Sequence, residues 1–255
     1  MRECGTRTEL IRLRPHDHIG WVFTGPDHFA MLARPYLAEG AERGELLMFV
    51  ADDPTNDAYV EMTSAFGARD LQVASISEVY GASGVVDAAQ QRATFAGVMV
   101  EALSNGYSGI RVAADNSSLV VDPERLEAWI RWEHVADEFM SANHVTGLCA
   151  FDGDKVAVDT LRHLATLHPI TSADQGVPQF RLFVDDGALS IEGEVDVFAV
   201  EHIDLALACL PAKTGVVVDL ARASLRGHGV RDRLRLLADT GVRVTLLHQP
   251  QPEPA

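Results

Sequence analysis

His18-Ile19-Gly20-Trp21-Val22-Phe23-Thr24-Gly25-Pro26-Asp27-His28 is the stretch on which the fold turns. Its first six residues are rich in β-branched and aromatic side chains and apolar on both faces, as strands covered by helices on both sides are. A short turn follows and places Pro26 in the first turn of a helix, where its missing N–H would have no partner anyway. Helical spacing of apolar residues then runs over Pro26–Arg43. The same unit recurs down the chain. Strands are predicted over Leu46–Ala51, Leu71–Ser77, Ile110–Ala114 and Thr146–Phe151, and helices over Thr55–Phe66, Asp87–Asn105, Asp122–Ala142 and Asp154–Leu167. Gly44, Gly67 and Gly106 stand where helices should stop. This alternation predicts an α/β protein whose mainly parallel sheet is covered by helices.

The rhythm lapses at Thr171–Gln179, a run of small residues with a proline that reads as a linker, with a boundary near residue 175. Two strands, Phe180–Val184 and Ala188–Glu192, follow around Asp185-Asp186-Gly187, a hairpin signal. Then come a helix, a strand over Gly215–Leu220, a second helix and a strand over Arg243–His248. The expected organisation is a first domain over 10–170, a linker over 171–178, a small α/β domain over 179–248 and a disordered, proline-punctuated tail over 249–255.

Composition narrows the function. With 47% hydrophobic residues the chain can bury a sizeable core. Its net charge of −16 repels a phosphate backbone and an anionic membrane surface, so neither nucleic acid nor membrane is expected as a partner. No apolar run approaches the roughly 18 residues that span a bilayer. The charged start, Met1 to Arg14, lacks a signal-peptide core, and a cytoplasmic location is expected. Cys4, Cys149 and Cys209 are odd in number and far apart, without metal-ligand spacing, so they read as reduced thiols.

The turn after the first strand has one glycine, no Lys-Ser or Lys-Thr pair and a proline that removes a backbone donor, so it is not a phosphate loop. No dinucleotide fingerprint, nucleophile elbow or metalloprotease motif occurs elsewhere. What remains are polar residues at strand ends: Asp17 and His18, Asp52 and Asp53, Asp115 and Asn116, and Asp152. Gathered at one sheet edge, such carboxylates bind metal or act as acid and base; singly, Asp and Asn cap helices and turns. Trp129 and Trp132 read as core. Glu133, on the same helix, would need a partner if buried.

Taken together, these residues resemble the MEDS domain, a sensory module named for its occurrence in methanogens and methylotrophs. The resemblance covers roughly residues 10–170. It rests on Leu13-Arg14-Pro15-His16-Asp17-His18, similar to the family's opening Pro-Gly-Asp-His with His16 in place of Gly, and on Phe49-Val50-Ala51-Asp52-Asp53. Gly106-Tyr107-Ser108-Gly109-Ile110-Arg111-Val112, Trp132-Glu133, Leu148-Cys149-Ala150-Phe151-Asp152 and His168-Pro169 add to it. The resemblance implies a RecA/KaiC-like sheet without a working phosphate loop, used in sensing, and marks Asp17, His18, Asp115 and Glu133 as ligand-binding candidates.

The second domain resembles a STAS domain, the fold of anti-sigma-factor antagonists, through Leu189-Ser190-Ile191-Glu192-Gly193-Glu194-Val195-Asp196 and Val216-Val217-Val218-Asp219-Leu220. In that family a serine opening a helix is phosphorylated by an anti-sigma kinase. Here the turn reads Ser224-Leu225-Arg226-Gly227-His228-Gly229-Val230 and lacks the paired hydroxyls, leaving Ser224 and His228 as degenerate equivalents. Arg226, Arg231 and Arg233 belong to a local basic cluster that is either a solvated face or a docking surface for an acidic partner.

The expectation is a cytoplasmic regulatory protein that is not an enzyme, with no cofactor or metal. It would sense a small molecule or partner and relay to an anti-sigma factor, a serine kinase or another regulator, alone or as a homo-oligomer. The alternative is a divergent metal-dependent nucleotide-binding enzyme using Asp52, Asp53 and Asp115.

Overall fold

The computed structural model describes residues 3–67, 71–173, 178–185, 188–196, 199, 203, 216–226, 232 and 244–247. The opening stretch forms β2 (His18–Phe23) and α1 (Gly25–Glu42), preceded by a short β1 (Gly5–Arg7). Pro26 lies in the first turn of α1. Next come β3 (Leu46–Ala51), α2 (Asp57–Thr63), β4 (Leu71–Ser75), α3 (Ile76–Tyr80), α4 (Ala88–Ser104) and β5 (Ile110–Asp115). After a 3₁₀ turn, α5 (Pro123–Ala142), β6 (Val145–Asp152), α6 (Val158–Thr166) and β7 (Ile170–Ser172) complete the first sheet.

Local chemistry accounts for the boundaries. Asp87 and Asp122 cap α4 and α5 with their carboxylates. The strand expected to reach Ser77 stops at Ser75, because Ser75 and Glu78 form a reciprocal capping box that starts α3. The segment expected as a linker begins as strand, since β7 pairs in parallel with both β1 and β2.

The seven strands run in the order β1-β7-β2-β6-β5-β3-β4, all parallel. Alternate residues divide between two cores. Ile19, Trp21, Phe23, Leu47 and Phe49 pack with Phe29, Tyr36 and Tyr59 of α1 and α2. Met48, Val50, Val112 and Phe151 pack with Phe95, Trp129, Trp132 and Leu164 of α4, α5 and α6. The expected helix-covered parallel sheet is thus present. Among the described residues no helix is long and apolar enough to cross a membrane.

A second, mixed sheet follows, with β8 (Phe180–Asp185), β9 (Ala188–Val195), β10 (Val216–Leu225) and β11 (Val244–Leu247) in the order β11-β10-β9-β8. β8 and β9 form the antiparallel hairpin read from Asp185-Asp186-Gly187, and β10 lies parallel to β9 and β11. Phe180, Leu182 and Ile191 share one core with Trp129 and Phe139. Helix α5 therefore has β6 on one side and β8 on the other. A helix covered on two sides buries more than one stripe, which is why Glu133, His134 and Asp137 are buried beside its apolar residues. The two expected helices of this segment, residues 171–178 beyond Ala173 apart from Pro178, and the tail lie outside the described residues.

Candidate functional site

His18 opens β2 with its ring turned toward α5. Gly20, two residues on, shares that face. The His168 ring lies against it so closely that a Cβ there would stand 2.6 Å from Nδ1. Gly20 pairs with Cys149 on β6, which puts the thiol beside both rings. Glu133 and Asp137 stand one helical turn apart on α5 and so face the same way. His168 follows α6, its Nδ1 donating to the Leu164 carbonyl at 2.8 Å.

These side chains converge. Glu133 Oε2 lies 3.1 Å from His18 Nε2 and 3.5 Å from His168 Nε2. Cys149 Sγ lies 3.5 Å from His18 Nε2 and 4.0 Å from Glu133 Oε2. His18 Nδ1 donates to Asp137 Oδ1 at 3.0 Å, and the two imidazole rings are 4.4 Å apart. His18, Glu133 and His168 are closed to solvent, while Cys149 is half-buried. Glu133 Oε1 and His168 Nε2 have no hydrogen-bond partner.

The electrostatics follow from burial against neighbours. Burial alone would push the His18 imidazole down, yet Asp137, Cys149 and Glu133 around it hold its pKa well above the ordinary value. Burial works to raise Glu133, and the imidazoles of His168 and His18 hold it low. His168 is pushed down to about 4 by burial, against the pull of Glu133. Burial and the Glu133 charge push the Cys149 thiol up to about 11. In chemical terms the site offers two imidazole nitrogens, a carboxylate and a thiol, with their ligand atoms all within 4.8 Å of one another.

Two features extend from this cluster. Asp137 Oδ2 accepts from the Val184 N–H of β8 at 2.5 Å, so one carboxylate joins His18 to the second sheet. Cys149 also lines an apolar cavity of about 40 Å³ among Tyr80, Phe95, Trp132, Phe139 and Met140.

Of the four ligand-binding candidates read from sequence, His18 and Glu133 meet. Asp17 does not take part through its carboxylate, which accepts from the Arg14 N–H at 2.8 Å and closes a turn. Asp115 lies at the opposite, carboxyl end of the sheet, where it accepts from the Ser117 N–H and hydroxyl at 3.1 and 2.5 Å. There Asp52 accepts from Ser118, Asp53 from Thr55, and Asp152 from the Asp154 N–H. Ser224 is not at a turn as expected: β10 continues to Leu225, and Ser224 is an exposed strand residue in register with Glu194. A register shift between Asp219 and Arg222 carries the strand past the place where the sequence pattern ends it. Arg226 is exposed and pairs with Glu194 at 2.9 Å. His228, Arg231 and Arg233 lie outside the described residues.

Sequence reading missed Asp137, Cys149 and His168 as site residues. The signals were present: a second acid four residues after Glu133, a thiol in an apolar strand, and the His168-Pro169 pair. Their spacing along the chain shows no metal motif because each residue comes from a different element.

The model of the family described as MEDS, MEthanogen/methylotroph, DcmR Sensory domain, matches residues 17–169. The chain belongs to the MEDS family. The match begins one residue before His18 and ends one after His168, so the whole cluster of this MEDS chain lies within it, whereas the second sheet lies beyond it. Membership gives the chain a sensory role in signalling. No curated protein matches the chain.

Proposed function

We propose that this MEDS protein is a cytoplasmic, non-enzymatic regulator that senses a small molecule at the His18 cluster and its adjoining cavity. The second sheet, read as a STAS-like module, relays the signal to a transcriptional switch of the sigma-factor type. The observation that carries the reading is Asp137, which holds His18 with one oxygen and the β8 backbone with the other. A change in charge or position at His18 alters how strongly Asp137 accepts from the Val184 N–H, and buried hydrogen bonds to charged groups are strong enough for that to matter. The cavity against Cys149 has room for a ligand of a few atoms at most. Arg226, exposed and paired with Glu194, is the described part of the face read as docking an acidic partner.

Hydrogen–deuterium exchange on the full chain tests the relay. His18→Gln is expected to speed exchange at the amides of β8, Val184 first; unchanged protection there would overturn the coupling. Calorimetric titration with each anti-sigma kinase of the host tests the output. Binding to one of them, weakened by Asp137→Asn, is expected, and no binding across the set would remove the sigma-type relay.

A further inference from the structure

We propose that His18, Glu133, Cys149 and His168 bind one divalent transition-metal ion of the zinc type. The inference stands on side-chain geometry and does not depend on the sensory reading: a chain that binds the ion without relaying anything would leave it intact.

The donor set comes first. Two imidazoles, a thiolate and a carboxylate are the ligands zinc takes, and the sulfur and nitrogen donors disfavour magnesium and calcium. Charge balances as well, since one thiolate and one carboxylate neutralise a divalent ion in a buried site. Binding forms four metal–ligand bonds and breaks the Cys149 S–H bond and the His18 Nε2–H bond, both protons leaving to solvent, so that each histidine offers a lone pair from Nε2.

Distances agree. Bonds of about 2.0–2.3 Å in a tetrahedron put neighbouring donor atoms about 3.3–3.8 Å apart. The observed separations are 3.1 Å for His18 Nε2 to Glu133, 3.5 Å for both His168 to Glu133 and Cys149 to His18, and 4.0 Å for Cys149 to Glu133. The remaining pairs, His168 Nε2 with His18 Nε2 and with Cys149 Sγ, lie within 4.8 Å, so shifts of up to about 1 Å would centre an ion among the four.

The outer contacts point the same way. His18 Nδ1 donates to the Asp137 carboxylate and His168 Nδ1 to the Leu164 carbonyl. Each leaves its Nε2 aimed inward, the arrangement that orients metal-bound histidines. A carbonyl cannot donate, so the single proton of neutral His168 sits on Nδ1, and its buried, unpartnered Nε2 faces the Glu133 carboxylate. Two acceptors face each other there, which is unfavourable without a cation between them. Cys149 is half-buried, the least enclosed of the four.

The test uses the full chain, stripped with chelator and titrated with Co²⁺ and then Zn²⁺ against a chromophoric competitor. Expected are one equivalent of Co²⁺ with the visible absorption of a four-coordinate ion, a near-ultraviolet sulfur-to-metal charge-transfer band, and displacement by Zn²⁺. Cys149→Ser should abolish the charge-transfer band, and Asp137→Asn should lower Zn²⁺ affinity about 10- to 100-fold. Glu133→Gln serves as the second variant should Cys149→Ser fail to fold, with an expected affinity loss at least as large as that of Asp137→Asn. No stoichiometric uptake by the unmodified chain would overturn the proposal, and so would a charge-transfer band that survives in folded Cys149→Ser.

Discussion

Glu133 on α5 reaches His18 at the head of β2 across 3.1 Å, with both side chains closed to solvent. An ion pair of this kind is costly to break from one side, because the remaining partner stays buried without its counter-charge. Glu133→Ala is expected to lose about 3–5 kcal/mol of stability in urea unfolding.

Gly20 is where the cluster depends on having no side chain. A Cβ would meet His168 Nδ1 at 2.6 Å and Cγ at 2.7 Å, atoms of a buried ring held by its Nδ1 bond to the Leu164 carbonyl. Gly20→Ala should therefore destabilise by about 1–3 kcal/mol through overpacking. Nitrogen-15 spectra of the histidine rings should show His168 as the resonance most displaced.

On the other face of the sheet, Arg111 is fully buried, with Nε 2.5 Å from Glu45 and Nη1 3.2 Å from the Tyr36 carbonyl. Its guanidinium also lies over the Tyr36 ring. Glu45→Leu alone should cost about 3–5 kcal/mol, whereas Glu45→Leu combined with Arg111→Met should recover most of that, since apolar replacement of a whole buried pair is often near neutral. Denaturation of the single and double variants checks both figures.

Cys4 joins the N-terminal strand to the second sheet, donating to Glu192 at 3.0–3.1 Å. Burial, then the Glu192 carboxylate, pushes its thiol from 9.0 up to about 11. The folded value is raised, so the contribution to stability is present below about pH 9 and lost as pH rises through about 11. At about pH 8 the thiolate fraction falls roughly 100-fold against an ordinary cysteine, and alkylation of Cys4 slows accordingly. Peptide mass spectrometry of timed iodoacetamide reactions should show this slowing, and a faster reaction in Glu192→Gln.

The order of strands and helices was legible in the chain because each element carries its own signal. The apolar runs of β2, β3, β5 and β6 mark strands covered on both faces. Asp87, Asp122 and Pro26 mark helix starts, and Asp185-Asp186-Gly187 marks the hairpin. The exceptions have physical causes. β1 and β7 are too short to show periodicity and exist through pairing. The end of β4 was misplaced because the Ser75–Glu78 box competes with strand pattern over the next five residues. Ser224 was misplaced because β10 continues past an irregularity.

By itself, then, the sequence determined the helix-covered parallel sheet, the MEDS resemblance, the absence of a phosphate loop after the first strand, and the choice of His18 and Glu133 as candidates. Those properties reside in local periodicity, turn chemistry and short motifs. Tertiary structure alone decided which polar residues act together. It separated Asp115 from His18 by placing them at opposite ends of parallel strands. It brought Asp137, Cys149 and His168 to His18 from a helix, a neighbouring strand and a distant turn. Buried polar side chains find partners through space, because an unpaired one costs too much to tolerate, and distance along the chain carries no record of that pairing.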